Sequence, residues 1–242
     1  MVAANGSKLL ALETSSEWCS AALWLDGQVL SREALAGQTH SEQLLPMVEE
    51  LLGEAGVSLA ALHAIAFGSG PGSFTGLRIA CGVAQGLAFA AGLPVVTVTS
   101  LLALAEASGG ERVISCLDAR MGELYFAAFR REGEEWRCVH EPMLCQPGAA
   151  PMVEGDGWTG VGSGFAVHGA VLAARYQGRL RARRPDVHPS AHEVAVLAAR
   201  RYALGLVLPP EQAVPLYLRD RVALTVDERE SLRRATDAAG TS

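Results

Sequence analysis

The stretch Gly70-Pro71-Gly72-Ser73-Phe74-Thr75-Gly76-Leu77-Arg78 holds the residue types that come nearest to chemistry: glycines, two hydroxyls and a guanidinium, between an apolar run (64–67) and a long run of small residues. A nucleophile elbow needs Gly-x-Ser-x-Gly, but Gly72-Ser73 is followed by Phe74-Thr75-Gly76, one residue out of step. A Walker loop needs a lysine to reach the terminal phosphates, and the stretch has none. What remains is a glycine-rich strand-to-helix loop. It can present backbone N–H groups to an anion, or it can be a tight turn that uses glycine torsions and close packing. Residue chemistry favours the turn, with Ser73 and Thr75 placed to cap the helix start. Ser73 is not read as a nucleophile.

Other reactive groups are sparser. His188 and His192 are four apart, but Pro189 disfavours helix at His188, and Ser190 to Glu193 has capping-box spacing, so the pair should not share a helical face. His40, His63, His140 and His168 show no ligand spacing, and no metal or other cofactor is expected. Arg175, Arg179, Arg181, Arg183 and Arg184 form a local basic cluster that reads as solvated surface or as a secondary nucleic-acid contact. The five cysteines contain no Cys-x-x-Cys, which fits reduced thiols and a cytoplasmic location. With 20 Lys+Arg against 26 Asp+Glu, the net charge of −6 argues against autonomous, non-specific nucleic-acid binding.

The elements that must position these residues follow from periodicity. Residues 8–13 read as a buried strand, 18–25 as a second, and Asp26-Gly27 as the turn into a third at 28–35. Thr39 and Glu42 have capping-box spacing, Leu44, Val48, Leu51, Leu52 and Ala55 share one helical face, and Pro46 should kink that helix before it ends at Gly56. A strand at 62–67, the glycine loop, a helix from about Thr75 to Gly92, a strand at 94–99 and a helix from Ser100 complete the first part. Residues 79–105 lack charge and are long enough to span a membrane, but Gly92-Leu93-Pro94 and the β-branched run after it argue for a buried helix and a strand. No secretory signal or membrane span is expected.

Residues 9–27 and 113–133 echo one another: apolar strand, acidic residue (Glu13, Asp118), short turn, alanine-containing strand, then charge-Gly. The echo suggests two similar domains related by duplication, the first at 1–105 and a smaller, worn second at 106–221, with a flexible polar tail at 222–242. In the helix after the glycine loop, Gly82, Gly86 and Ala90 recur every four residues beside Ile79, Val83 and Leu87. Such a face lets another helix approach closely. It can pack on the protein's own sheet or form a subunit interface with the 39–55 helix.

Four blocks, ALETSSEWCSAALW, HSEQLLPMVEELL, FGSGPGSFTGLRIACGVAQGLA and LDARMGELYFA, followed by PLYLRD at 215–220, resemble in order the bacterial TsaB (YeaZ) family. The resemblance implies an α/β, two-domain fold like actin, Hsp70 and sugar kinases (ASKHA), with duplicated domains of which the second is degenerate. It implies a non-catalytic subunit of the machinery that places N6-threonylcarbamoyl on the adenosine beside the anticodon of tRNAs reading ANN codons. In that machinery TsaC or a relative makes threonylcarbamoyl-AMP, the TsaD paralogue carries the metal and the transfer, and the small ATPase TsaE joins the complex. The family binds TsaD through N-domain helices and can self-associate as a homodimer through much the same surface; tRNA is met indirectly.

Mapped onto this sequence, the partner surface comprises His40, Leu44, Met47, Val48, Leu51, Ile79, Gly82, Val83 and Gly86. Metal-binding paralogues carry two histidines four apart on the corresponding helix, whereas this chain has His40 and then Leu44. Actin-type ATPases place Asp-x-Gly after the first strand, whereas this chain has Glu13-Thr14-Ser15. No catalytic residue is therefore expected; Glu13, Arg78, Asp118 and Arg120 could line an interdomain cleft that helps hold a nucleotide once partners are bound. A sugar-kinase-like ATPase acting alone is the competing expectation, and a metallopeptidase a weaker third.

Overall fold

The computed structural model describes residues 6–219. The first sheet contains β1 (Lys8–Glu13), β2 (Trp18–Leu25), β3 (Gln28–Leu35), β4 (Ala64–Gly70) and β5 (Val95–Thr99), in the order β3-β2-β1-β4-β5. The three meander strands are antiparallel, and β4 and β5 run parallel to β1. α1 (His40–Ala55) leads from β3 towards β4, α2 (Phe74–Ala91) joins β4 to β5, and α3 (Ser100–Ala107) leads into the second sheet. That sheet holds β6 (Arg112–Arg120), β7 (Glu123–Glu132), β8 (Glu135–Cys145), β9 (Trp158–Val161) and β10 (Leu180–Arg184), in the order β10-β9-β6-β7-β8. Its accompanying helices are α4 (Ser163–Val167) and α5 (Gly169–Arg175), and α6 (Ala191–Ala203) follows β10. Numbered from its own first strand, the second sheet has the same order as the first: a three-stranded meander with two parallel strands added beyond its first strand.

β1 explains how the first layer is covered. Leu10 and Leu12 point into a core with α1 and α2, while Leu9 and Ala11 point into the opposite core. A strand apolar on both faces needs a cover on each. The second cover is α6, whose Val194, Ala195, Leu197 and Ala198 pack against Leu9, Ala11, Ala66 and Val98. The chain then stays on the first layer: Leu208 pairs with Val95, Ala213 enters the α1–α2 core, and the Leu216 N–H donates to the Ser69 carbonyl at 2.7 Å. Residues 191–216, which sequence order assigns to a second domain at 106–221, thus build the first layer. The 222–242 tail expectation lies outside the described residues.

Local differences have local causes. Thr39 makes no capping box; its hydroxyl donates to the Ala36 carbonyl and accepts from the Gln43 amide. α1 continues through Pro46 and ends, as expected, at a left-handed Gly56. β4 starts later than 62 and runs on to Gly70, into the glycine stretch. α2 is long and apolar enough to cross a membrane by length and composition, yet Gly76, Leu77, Ala80, Cys81, Ala84 and Ala88 bury one face on the first sheet. Its opposite face is open, so it is a half-buried helix and not the fully buried one that its lack of charge suggested.

Candidate functional site

The glycine stretch closes on the chain itself. A Cβ on Gly72 would lie 2.4 Å from the Ser15 carbonyl oxygen, and one on Gly76 would lie 1.9 Å from the Thr14 carbonyl oxygen. The loop can pass the β1–β2 turn this closely only without side chains. Two hydrogen bonds lock the contact: the Ser73 N–H donates to the Ser15 carbonyl at 2.7 Å, and the Thr14 hydroxyl donates to the Gly76 carbonyl at 2.7 Å. Ser73 caps α2 as expected, its Oγ accepting from the Gly76 N–H. Residues 14 and 15 thus lie directly against the loop at Gly72, Ser73 and Gly76. The hollow beside it, between Gly72, Phe74, Tyr125 and Tyr217, measures about 30 Å³, far below a nucleotide-sized pocket.

Glu13 is sealed under this turn. It is wholly buried; Oε1 accepts from the Ser15 N–H at 2.6 Å, and Oε2 meets the Ser100 hydroxyl at 3.0 Å. Gly68 permits that position, since a Cβ there would fall on the carboxylate. Burial raises the Glu13 pKa above the ordinary carboxylate value, against the opposing hydrogen bonds from Ser15 and Ser100. Asp118 and Arg120 are brought together at 3.2 Å, with His168 Nε2 3.6 Å from the same carboxylate. Arg120 is mostly exposed at a left-handed bend, φ 64°. Arg78 is elsewhere: its guanidinium lies 3.9 Å over the Phe74 ring, and its Nε donates to the Tyr217 hydroxyl. None of these four residues lines the hollow beside the loop.

The helical surface divides into two sets. Leu44, Val48 and Leu51 lie in the core beneath α1, and His40 is buried with Nε2 3.0 Å from the Ser16 carbonyl. Their placement on a partner surface is corrected: they form the inward face of an amphipathic helix and hold it to the sheet. Met47, Ile79 and Val83 are half-buried at its rim. Gly82 and Gly86 are exposed, and among the described residues a Cβ on either would meet nothing within 4 Å. Phe89 on the same helix is 83% exposed, and Leu45 on α1 is 44% exposed. Sequence reasoning missed Phe89, although it lies three residues past Gly86 and so shares that helical face. The other flank of α2 is covered from within: Cys81 Sγ and the Gln85 amide both donate to the Ala213 carbonyl.

Elsewhere the candidates resolve into structural contacts. His188 stacks on Trp18 at 4.5 Å and pairs with Glu33 at 3.1 Å. Arg175, Arg179 and Arg184 donate to the carbonyls of Ala150, Gly155 and Ser108, so the basic cluster is no continuous surface. Among the described residues, no group of three His, Cys, Asp or Glu side chains is close enough to hold a metal ion.

Residues 31–225 match the family described as "TsaD: tRNA N6-adenosine threonylcarbamoyltransferase". The "tRNA threonylcarbamoyladenosine biosynthesis protein TsaB" of Escherichia coli is 36% identical over 226 residues, covering 89% of this chain and 96% of that one. Its Haemophilus influenzae counterpart is 37% identical, covering 88% and 94%. The chain belongs to the TsaB (YeaZ) family. A solved structure, "YeaZ from Pseudomonas aeruginosa", superposes with a TM-score of 0.80 at 42% identity, covering 88% of this chain and all of that one. A second, described as an uncharacterized protein with similarity to peptidase YEAZ from the same organism, gives 0.82 at 41%, with the same coverage. The two-sheet α/β architecture is accordingly the actin/Hsp70-like fold that the motif blocks implied.

Proposed function

We propose that this chain works in the biosynthesis of N6-threonylcarbamoyladenosine in tRNA, as the names of its relatives state for them, and that it does so in the cytoplasm as a non-catalytic subunit. Its partner is a TsaD-type paralogue, docked on the outer face of α1 and α2, with a TsaE-type ATPase joining the complex and tRNA met through the assembly. The observation that carries the reading is the pair Gly82 and Gly86. A mid-helix glycine costs about 1 kcal/mol relative to alanine, and nothing among the described residues lies within 4 Å of a Cβ at either one. Next to an exposed Phe89, the pair makes a shallow groove into which a second helix can fit closely. A second copy of the chain could use the same groove when the partner is absent.

The glycine loop supports a non-catalytic role. The Ser73 N–H is spent on the Ser15 carbonyl, Gly72 and Gly76 lie against the backbone of Ser15 and Thr14, and the acidic residue at the end of β1 is buried without access to solvent. A sugar-kinase-like ATPase acting alone finds no support in this geometry.

The reading is tested by titrating the matching TsaD-type protein into the chain and its variants Gly86→Arg and Phe89→Asp. Both positions are exposed, so both variants should fold with unchanged circular dichroism while complex formation is lost. Unchanged affinity in both would remove this face from the account. Leu44→Arg would be uninformative, because it buries an unpaired charge in the core.

A further inference from the structure

A second site lies on the other layer, away from the proposed seam, and does not depend on the partner reading. Arg112 on β6 stands opposite Arg130 on β7, and Arg130 stands opposite Arg137 on β8. Three guanidiniums thus share one face of adjacent strands, a row about 10 Å across at the usual strand spacing. Like charges directly opposite one another destabilise a sheet unless something compensates them.

The compensation is thin. Arg112 Nη1 donates to the Asp156 carbonyl at 2.9 Å. Arg137 reaches Glu132 only at 3.5 Å, with both side chains more than half exposed, an arrangement that contributes little. Arg130 has no carboxylate partner within 4 Å among the described residues, and its Nε is buried without a hydrogen-bond partner.

Arg130 and Arg137 line a cavity of about 350 Å³. His140, whose Nε2–H donates to the Met152 carbonyl at 3.0 Å, forms its wall, and the acidic residue Glu154 also lines it. A cavity of this size suits a small ligand. Two guanidiniums from neighbouring strands can engage different oxygens of one tetrahedral oxyanion, the geometry in which arginine binds phosphate best. The geometry points to a binding site for a phosphoryl group between β7, β8 and the 152–154 loop, with Arg130 as the principal ligand, Arg137 as the second, and Glu154 as a charge that weakens binding. The phosphoryl group can come from a free phosphorylated molecule or from the backbone of a tRNA.

The test uses the full chain at low ionic strength, with 5′-AMP and inorganic phosphate as free probes and unmodified tRNA as the polymeric one. If the source is a free ligand, AMP or phosphate binds, Arg130→Met weakens binding at least tenfold, and Glu154→Gln strengthens it severalfold. If the source is the tRNA backbone, the free probes do not saturate, while Arg130→Met with Arg137→Gln weakens tRNA binding at least tenfold and flattens its salt dependence. Less than a twofold change with every probe overturns the proposal. Thermal unfolding supplies an independent readout: without ligand, Arg130→Met should melt at the same temperature as the parent or higher, because it relieves like-charge crowding. A fall of several degrees, or failure to fold, would make Arg130 a structural strut and also overturn the site.

Discussion

Replacing Gly82 and Gly86 together by alanine should move folding and association in opposite directions. Both residues sit inside α2, neither has a left-handed φ, and an added Cβ at either meets nothing within 4 Å among the described residues. Each substitution then gains the helix-propensity difference of about 1 kcal/mol. The sites share no partner, so the gains add to about 2 kcal/mol. For a chain of 242 residues, that raises the melting temperature by about 4–8 °C. At the seam the same methyl groups hold a partner helix away, and overpacking of about 1–3 kcal/mol weakens the complex roughly 5- to 150-fold. Calorimetric melting over a dilution series separates folding from self-association, since a dimer melts at a concentration-dependent temperature. Titration with the TsaD-type paralogue gives the affinity. An unchanged or lower melting temperature would mean that the face is already packed within the chain. A higher one with unchanged affinity would mean that the glycines lie outside the seam.

The same helix should respond in the opposite sense at its start. Gly76→Ala places a Cβ against the Thr14 backbone and disturbs the bonds of residues 14 and 15 to the loop, so it should destabilise the fold by about 2–4 kcal/mol, from overpacking plus a lost hydrogen bond; a urea midpoint equal to the parent's would refute the closed-loop account. For Glu13 the folded-state pKa is raised above 4.5 by burial, so the parent loses stability as pH rises through that raised value. Glu13→Gln should therefore gain on the parent as pH is taken from about 4.5 upward, and urea midpoints showing the reverse trend would contradict the buried setting. The His188 imidazole is raised above 6.5, chiefly by its hydrogen bond to Glu33. Its contribution is present in full below 6.5 and is lost as pH rises through the folded value, so Glu33→Gln should cost more stability at pH 6 than at pH 8. Equal losses at the two pH values would mean that protonation of His188 adds nothing to stability through Glu33.

Much of the fold was legible because the signals were local. The meander rests on one buried apolar run, a second strand and the Asp26-Gly27 turn, where both residues take positive φ as the hairpin requires. Ser73 and Gly92 bound α2 as capping chemistry predicts. The place of α6 was not legible: its apolar face is plain, but periodicity does not say which sheet it covers, and the answer lay in the two-sided apolar character of β1. The partner surface failed on α1 for a related reason. The apolar period finds the face that holds a helix to its own core, so it picked out Leu44, Val48 and Leu51, whereas the outward side carries Glu42, Leu45, Pro46 and Glu49 and reads as solvent. On α2 the glycine spacing marks an exposed face, where an added Cβ at Gly82 or Gly86 meets nothing within 4 Å among the described residues. Glu13 was legible as special, but its seal by Gly68 and Ser100 depends on strands and a helix brought together by the fold.

The central claim is tested most directly by threonylcarbamoylation of unmodified tRNA with the matching TsaC-, TsaD- and TsaE-type proteins, threonine, bicarbonate and ATP, with and without this chain. The account predicts no modification without the chain, full modification with it, and none when it replaces the TsaD-type protein. Full modification in its absence, or turnover by the chain alone that is lost on Asp118→Ala, would contradict it.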